Sequence, residues 1–164
     1  MGVAGSGKST VGAAFARELG LDFVEGDEYH PAENVNKMAS GIALTDDDRA
    51  AWLRALATRL RGARDGGGLV MTCSALKRSY RDVLRAEASE LQFIFLRGPQ
   101  ALIAERLAGR RGHYMPPSLL QSQLDTLEEP SPDERAWVCD IRVSPPGLVQ
   151  TLVARVTGVA RASK

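Results

Sequence analysis

The sequence has few of the features that mark extracellular, membrane or nucleic-acid-binding proteins. Only two of its 164 residues are cysteine, and Cys73 and Cys139 lack CxxC spacing, which argues against a disulfide framework or a zinc site. No apolar run approaches the roughly 20 residues needed to cross a bilayer. The 21 basic and 20 acidic side chains nearly cancel, so no general positive field attracts nucleic acid or anionic lipid. These absences predict a cytoplasmic protein that binds small molecules, and neither nucleic acid nor a membrane.

The pattern of apolar residues predicts an α/β protein with a single domain over residues 1–164. Apolar residues recur at helical spacing in residues 7–19, and short apolar runs typical of buried strands follow at 69–73 and 91–96. Helical and strand segments alternate along the rest of the chain. This alternation predicts a parallel sheet with helices on both faces.

A phosphate-binding loop stands at the beginning of the sequence. Residues 2–9, GVAGSGKS, fit the pattern GxxxxGK[ST] and lead directly into a predicted helix, as such a loop requires. The glycines let backbone N–H groups turn toward the phosphates of ATP, and the helix N-terminus adds partial positive charge. Lys8 is expected to reach the β- and γ-phosphates, and the Ser9 hydroxyl to hold Mg²⁺. The predicted nucleotide contacts in this segment are Gly2, Val3, Ala4, Gly5, Ser6, Gly7, Lys8, Ser9 and Thr10. A glycine-rich turn that merely precedes a helix is the alternative.

The strand that normally leads into such a loop is not found in this sequence. Met1 stands one residue before Gly2, whereas a phosphate loop usually follows a buried central strand. We therefore expect a three-layer P-loop NTPase fold, with a helical lid, from which the first central strand is absent. Either the natural chain starts upstream or the sheet lacks its middle strand, and we favour the first. A form extended by an apolar strand is expected to be more stable and more active.

Four blocks downstream of the loop are more specific than the loop itself. They are GDEYHP at 26–31, LTDDDR at 44–49 with WL at 52–53, CSALKRSYR at 73–81, and GHYMPP at 112–117. With the phosphate loop, they resemble the gluconokinase family along most of the chain. The resemblance implies that ATP, with Mg²⁺, phosphorylates the 6-hydroxyl of D-gluconate to give 6-phospho-D-gluconate and ADP. It also suggests a homodimer.

Asp27 follows the strand predicted beside the phosphate loop, so its carboxylate can lie near both the γ-phosphate and an acceptor hydroxyl. It is the predicted general base, and it is expected to act mainly by orienting the hydroxyl, because phosphoryl transfer needs little deprotonation. A solvated loop aspartate is the alternative. Lys77 could also lie on a basic, solvated helix face with Arg81. The resemblance implies that Asp27, His30, Lys37, Arg49, Ser74, Lys77 and His113 bind the substrate.

Arg49 indicates an anionic partner without reference to the family. Thr45 and Asp48 are spaced as a capping box, which puts Arg49 in the first helical turn, where the dipole disfavours a cation. Its spacing from Leu53 and Leu56 places it on the apolar stripe of that helix. A preceding aspartate could be the partner. The resemblance instead implies the carboxylate of a sugar acid, held by two parallel hydrogen bonds.

Residues from about 106 to 128 are predicted to form the lid. Arg106 and Arg110 are four residues apart on one helical face, just before a glycine and two prolines. Closure would exclude water and bring an arginine to the transferred phosphoryl group. The resemblance ranks Arg110 and Arg106 above Arg111 as ATP contacts, and a solvent-facing basic patch is the alternative. The predicted catalytic residues are Lys8, Asp27 and Arg110.

Two other functions are compatible with the phosphate loop alone. One is a small-acceptor kinase of another kind, such as a shikimate or nucleoside monophosphate kinase, which shares the loop and lid but not the four downstream blocks. The other is a nucleotide-dependent binding module that contacts a protein partner through segments ordered by the γ-phosphate. The acceptor-side residues favour a kinase.

Overall fold

Helices and strands alternate along the part of the chain that the computed structural model describes, residues 1–63, 66–109 and 119–162. The helices are α1 (Lys8–Leu19), α2 (Ala32–Ala39), α3 (Asp46–Ala63), α4 (Arg78–Glu87), α5 (Gln100–Ala108), α6 (Leu119–Thr126) and α7 (Pro145–Ala162). The strands are β1 (Asp22–Glu25), β2 (Leu69–Thr72), β3 (Ile94–Arg97) and β4 (Trp137–Asp140), and short 3₁₀ helices span Gly26–Tyr29 and Pro132–Glu134. None of the helices in these ranges is apolar and long enough to span a membrane. The predicted alternation is confirmed.

The four strands form two parallel pairs, whereas the sequence predicted one sheet. β1 pairs with β2 along all four residues of each strand, and β3 pairs with β4 in the same way. Each pair is connected through helices, as parallel strands require. Within the described ranges, no strand joins β2 to β3.

An apolar cavity of about 810 Å³ lies where β2, β3 and α1 face one another. Met71 of β2, Leu96 of β3 and Val11 of α1 are among the residues that line it. At its edge the Met1 nitrogen donates to the Ile94 carbonyl (2.5 Å), and the Met1 carbonyl accepts from the Leu96 N–H (3.0 Å). These two bonds have the pattern of a parallel ladder. The cavity therefore lies between the two strand pairs, beside the bonds that Met1 forms with β3.

Helix α3 is anchored at both its start and its buried face. At its start the Asp48 carboxylate accepts the Thr45 N–H (2.7 Å), and the Thr45 hydroxyl accepts the Asp48 N–H (3.2 Å), so the predicted capping box is confirmed. One turn further, Trp52 is fully buried and its indole N–H donates to the Gly26 carbonyl (2.7 Å). That bond ties α3 to the 3₁₀ helix that carries Asp27. The two elements that bear the acceptor-side residues are thus held together.

A buried ion pair fixes the segment between β2 and α4. Arg81 is fully buried, and its guanidinium donates to both carboxylate oxygens of Glu134 (2.5 and 2.7 Å), which lowers the pKa of Glu134 to about 2. Another guanidinium nitrogen donates to the carbonyls of Ala75 (3.0 Å), Leu76 (3.3 Å) and Glu128 (3.0 Å). A solvated helix face is therefore the wrong interpretation for Arg81. Its role is to hold together the chain around Ala75 and the residues after α6.

Candidate active site

The phosphate loop is packed closely on one side and open on the other. Gly5 has a φ of 81°, and a Cβ there would lie 2.8 Å from the Leu107 side chain and 3.0 Å from the Ile103 carbonyl of α5. Gly7, with a φ of 92°, caps α1 and faces open space. Residues that carry a side chain rarely adopt such φ angles, so both positions favour glycine. The result is a loop whose backbone comes close to α5 while the amino end of α1 stays accessible to an anion.

A cavity of about 390 Å³ joins this loop to the acceptor-side residues. Its walls come from the loop, the 3₁₀ helix after β1, α3, α5 and the segment after β2. The predicted site residues that line it are Ala4, Gly5, Gly7, Lys8, Ser9, Thr10, Asp27, His30, Arg49, Ser74 and Arg106. Parts of the sequence that are far apart therefore meet around one space.

Arg49 is a buried cation in the wall of this cavity. The residue is 7% exposed, and its Nε has no hydrogen-bond partner within the described ranges. Its guanidinium carbon lies 5.8 Å from the centroid of the Tyr80 ring. The neighbouring carboxylates are engaged elsewhere, Asp46 with Lys77 and Asp48 with Lys37. The alternative of an ion pair between Arg49 and a preceding aspartate is therefore wrong.

His30 is held in a neutral form beside Arg49. Its ring stacks on Trp52 with centroids 4.2 Å apart and planes 13° from parallel. Burial lowers the pKa of His30 to about 4, although the Asp27 charge opposes the shift; the Arg49 charge lowers it further. Its Nδ1 is buried without a partner in the described part of the chain. The unpaired nitrogen of a neutral imidazole can donate a hydrogen bond to a hydroxyl group or accept one from it, depending on the tautomer.

The oxygen atoms near the loop fit Mg²⁺ that enters with a nucleotide. Ser9 and Asp27 both line the cavity, and hydroxyl and carboxylate oxygens are ligands that Mg²⁺ prefers. The described residues contain no cluster of three or more histidine, cysteine, aspartate or glutamate side chains that could hold a metal. Ser9 and the nucleotide phosphates would therefore hold the ion, with Asp27 nearby.

Comparison with known proteins places the chain in a family. A family model described as an AAA domain matches residues 1–130. The chain is 50% identical over 135 residues to the gluconokinase of Gluconobacter oxydans (strain 621H). That match covers 82% of this chain and 76% of the Gluconobacter protein. The thermoresistant gluconokinase of Escherichia coli (strain K12) is 43% identical over 155 residues, 93% of this chain and 89% of that protein. The chain belongs to the gluconokinase family.

The fold agrees with that of a solved gluconokinase. The crystal structure of a gluconokinase from Sinorhizobium meliloti 1021 is similar with a TM-score of 0.88 and 48% identity, over 99% of this chain and 91% of that one. The predictions of a gluconokinase resemblance and of a P-loop kinase fold are therefore confirmed.

Several predicted site residues do not line the cavity. Gly2, Val3 and Ser6 are buried beneath the loop surface. Lys37 and Lys77 form ion pairs with Asp48 and Asp46 outside it. Residues 110–118 of the predicted lid, which include Arg110, Arg111 and His113, lie outside the described residues, so their roles stay predictions.

Gln123 of α6 is a site residue that the sequence analysis missed. Its side-chain oxygen accepts the Ala4 N–H at 2.7 Å, and the residue is buried in the wall of the cavity. The available signal was a glutamine on the buried side of a short helix, three residues after Leu120. Gln123 thus connects α6, in the C-terminal part of the predicted lid, to the phosphate loop.

Proposed function

We propose that this protein is a gluconokinase, which transfers the γ-phosphoryl group of ATP to the 6-hydroxyl of D-gluconate and releases 6-phospho-D-gluconate and ADP. The observation that carries the proposal is one cavity with a phosphate loop at one side and a buried arginine, without an ion-pair partner among the described residues, at the other. Such a cavity fits a triphosphate and a small anionic acceptor together. The family membership supports the same reaction.

The loop residues would bind the nucleotide. Lys8 now donates to the Val3 carbonyl at 3.1 Å, and a bound triphosphate would give this ammonium group a charged acceptor. Arg106, which donates to the Ile141 carbonyl at 2.9 Å, reaches the same cavity. Mg²⁺, when bound, supplies further neutralisation of the phosphate charge. Arg110 is proposed to add a second arginine when the lid closes.

Asp27 would orient the acceptor. Its carboxylate lines the cavity together with Lys8, so it can accept the hydrogen of the reacting hydroxyl and direct the oxygen toward the γ-phosphorus. The proton passes to the carboxylate as the new P–O bond forms and the bond to the leaving ADP oxygen breaks. Because the transition state is loose, most of this contribution comes from positioning.

Arg49 would bind the carboxylate of gluconate. A planar guanidinium can hold a carboxylate by two parallel hydrogen bonds, and burial strengthens that attraction. His30 and Ser74, which line the same cavity, are proposed to bind the hydroxyl groups of the sugar acid. This arrangement would select a polyhydroxylated acid over a neutral polyol.

The reaction is tested by coupled measurement of ADP release. Gluconate, shikimate and nucleoside monophosphates are each offered with ATP and Mg²⁺, and Lys8→Ala provides the blank. We expect turnover with gluconate alone. Turnover with another acceptor would favour a different small-molecule kinase, and background hydrolysis with every acceptor, together with a nucleotide-dependent protein partner, would favour a binding module.

The acceptor site is tested by Arg49→Met. Loss of a buried, charge-assisted contact should raise the KM for gluconate by about 10- to 100-fold, with little change in the KM for ATP. Arg54→Met is the matched control, because Arg54 lies on the same helix but is exposed. Equal gluconate KM values for the two variants would contradict the assignment of Arg49.

A further inference from the structure

The unpaired state of Arg49 is unusual for its position. Three aspartates, Asp46, Asp47 and Asp48, directly precede it in the first turn of α3. Side chains three residues apart on a helix are neighbours, so Asp46 is well placed to form an ion pair with Arg49. A buried arginine normally takes such a partner. Something in the structure must therefore hold the carboxylate elsewhere.

Two groups from around the start of α4 hold Asp46. The Lys77 ammonium group donates to both carboxylate oxygens, at 2.8 and 2.7 Å, and the Tyr80 hydroxyl also donates to one of them. These contacts, Lys77 first and then Tyr80, lower the pKa of Asp46. Both carboxylate oxygens are thus bonded to groups that do not line the cavity.

Asp46 nevertheless lies within the influence of Arg49. The Arg49 guanidinium carbon is 5.8 Å from the centroid of the Tyr80 ring, and the Lys77 nitrogen is 5.7 Å from the same centroid. The Arg49 charge also contributes to the lowered pKa of Asp46. Both cations therefore lie beside the Tyr80 ring, and the Asp46 carboxylate could form an ion pair with either of them.

We propose that Lys77 is a positioning residue, which keeps Asp46 away from Arg49 and so leaves the Arg49 guanidinium available to the carboxylate of the acceptor. The inference rests on the proposed function, since it assumes that Arg49 binds an anionic acceptor. It differs from the expectation raised by the family resemblance, in which Lys77 itself contacts the substrate.

Competition explains why this arrangement matters. A carboxylate tethered three residues from Arg49 would act at a high effective concentration and would have to be displaced by each acceptor molecule. The apparent affinity for the acceptor would fall in proportion to the fraction of protein in which Arg49 is already paired. ATP binding would be unaffected, because neither Asp46 nor Lys77 lines the cavity beside the phosphate loop.

The experiment is a double-mutant cycle on the full chain. Lys77→Met should release Asp46 and raise the KM for gluconate about tenfold, with an unchanged KM for ATP. Asp46→Asn should keep the gluconate KM within about twofold of the parent, and adding Asp46→Asn to Lys77→Met should restore it to that level. Lys77→Arg, which retains the ion pair, should behave like the parent. If Lys77→Met fails to fold, Lys77→Gln removes the charge with a smaller change in polarity.

The outcomes separate this inference from the proposed function. A gluconate KM that stays high in the double variant would mean that Lys77 contacts the substrate itself, and this would overturn the inference. A parental KM in Lys77→Met and Lys77→Gln would overturn it as well. If Arg49→Met leaves the gluconate KM unchanged, the proposed acceptor site fails, and the inference fails with it. Rescue by Asp46→Asn together with a strong Arg49→Met effect supports both.

Discussion

His30 and Arg49 each have a buried polar atom that forms no hydrogen bond with the described residues. Within the described ranges, buried side-chain polar atoms without a partner are the Ser6 hydroxyl, His30 Nδ1 and Arg49 Nε. Each such atom costs about 1–3 kcal/mol when it is left unpaired. Because His30 and Arg49 line the same cavity, a ligand bound there would offset part of that cost. The unpaired atoms thus lower the stability of the unliganded protein at the place where the acceptor is proposed to bind.

The buried position of His30 predicts a specific dependence of stability on pH. The pKa of His30 falls from 6.5 to about 4 on folding, so between those values the unfolded chain binds a proton that the folded chain does not. The free energy of unfolding should therefore decrease as the pH falls from 6.5 to 4, by about 2 kcal/mol after allowance for partial exposure of the ring. Below that window the loss should come instead from carboxylates such as Asp48 and Glu134, whose pKa values are lowered to about 2.

This prediction is checked by denaturant unfolding at several pH values and by NMR titration of the His30 ring. His30→Gln should reduce the dependence between pH 6.5 and 4 and leave the loss at lower pH in place. The dependence that remains above about pH 5 should come from the Met1 amino group, whose pKa burial lowers from 8.0 to about 5. A His30 ring that titrates near 6.5 in the folded protein would contradict the prediction.

At the scale of elements, α6 links three parts of the molecule. Leu120 joins the main core, Leu119 packs with Met38 and Leu44 of the acceptor side, and Gln123 accepts a hydrogen bond from the phosphate loop. The helix forms the C-terminal part of the segment predicted to be the lid. A shift of α6 would therefore affect both the phosphate loop and the acceptor side of the proposed site.

Gln123→Met tests this connection, because methionine keeps the length of the side chain but cannot replace the amide oxygen as an acceptor. A loop amide without its partner should be less well positioned, so the KM for ATP should rise about fivefold, equivalent to about 1 kcal/mol. The KM for gluconate should change little. Gln121→Met is the control, since Gln121 lies on the same helix and is exposed. Equal ATP KM values in the two variants would show that the hydrogen bond has no role in nucleotide binding.

The elements were predictable to different degrees. The order of helices and strands followed from apolar periodicity, and the capping box at Thr45 from residue types that bond locally. The separation into two strand pairs did not follow, because pairing depends on which edges meet in three dimensions. The residue types identified Arg49 as inward-facing, but the engagement of Asp46 by Lys77 joins residues 31 apart and could not be read from helical spacing. The Gln123 contact spans 119 residues and was missed for the same reason.

At the scale of the whole molecule, the apolar cavity between the strand pairs should accept an added strand. We propose that fusing about five mostly apolar, β-branched residues to Met1 would extend the ladder that Met1 begins with β3. Burial of two or three apolar side chains, net of the cost of ordering them, should stabilise the protein by about 2 kcal/mol and raise Tm by about 5 °C.

A fusion of equal length built from glycine and serine is the control, because it adds residues without apolar side chains. Thermal unfolding and turnover are compared for the two fusions and the parent chain. The apolar fusion should also be the more active form, since it would support the residues directly before the phosphate loop. Identical Tm and turnover in both fusions would contradict the proposal.

The hydrogen bonds of Met1 and Gly2 have a consequence for how the molecule unfolds. Met1 bonds to β3, and the Gly2 N–H donates to the Ser74 carbonyl after β2 (3.2 Å), so the start of the phosphate loop bridges both strand pairs. A ligand that binds only the folded loop favours the state in which that bridge is intact. Nucleotide binding and the cooperativity of the global unfolding transition are thus thermodynamically linked, because the same short backbone segment contacts the nucleotide and joins the two strand pairs.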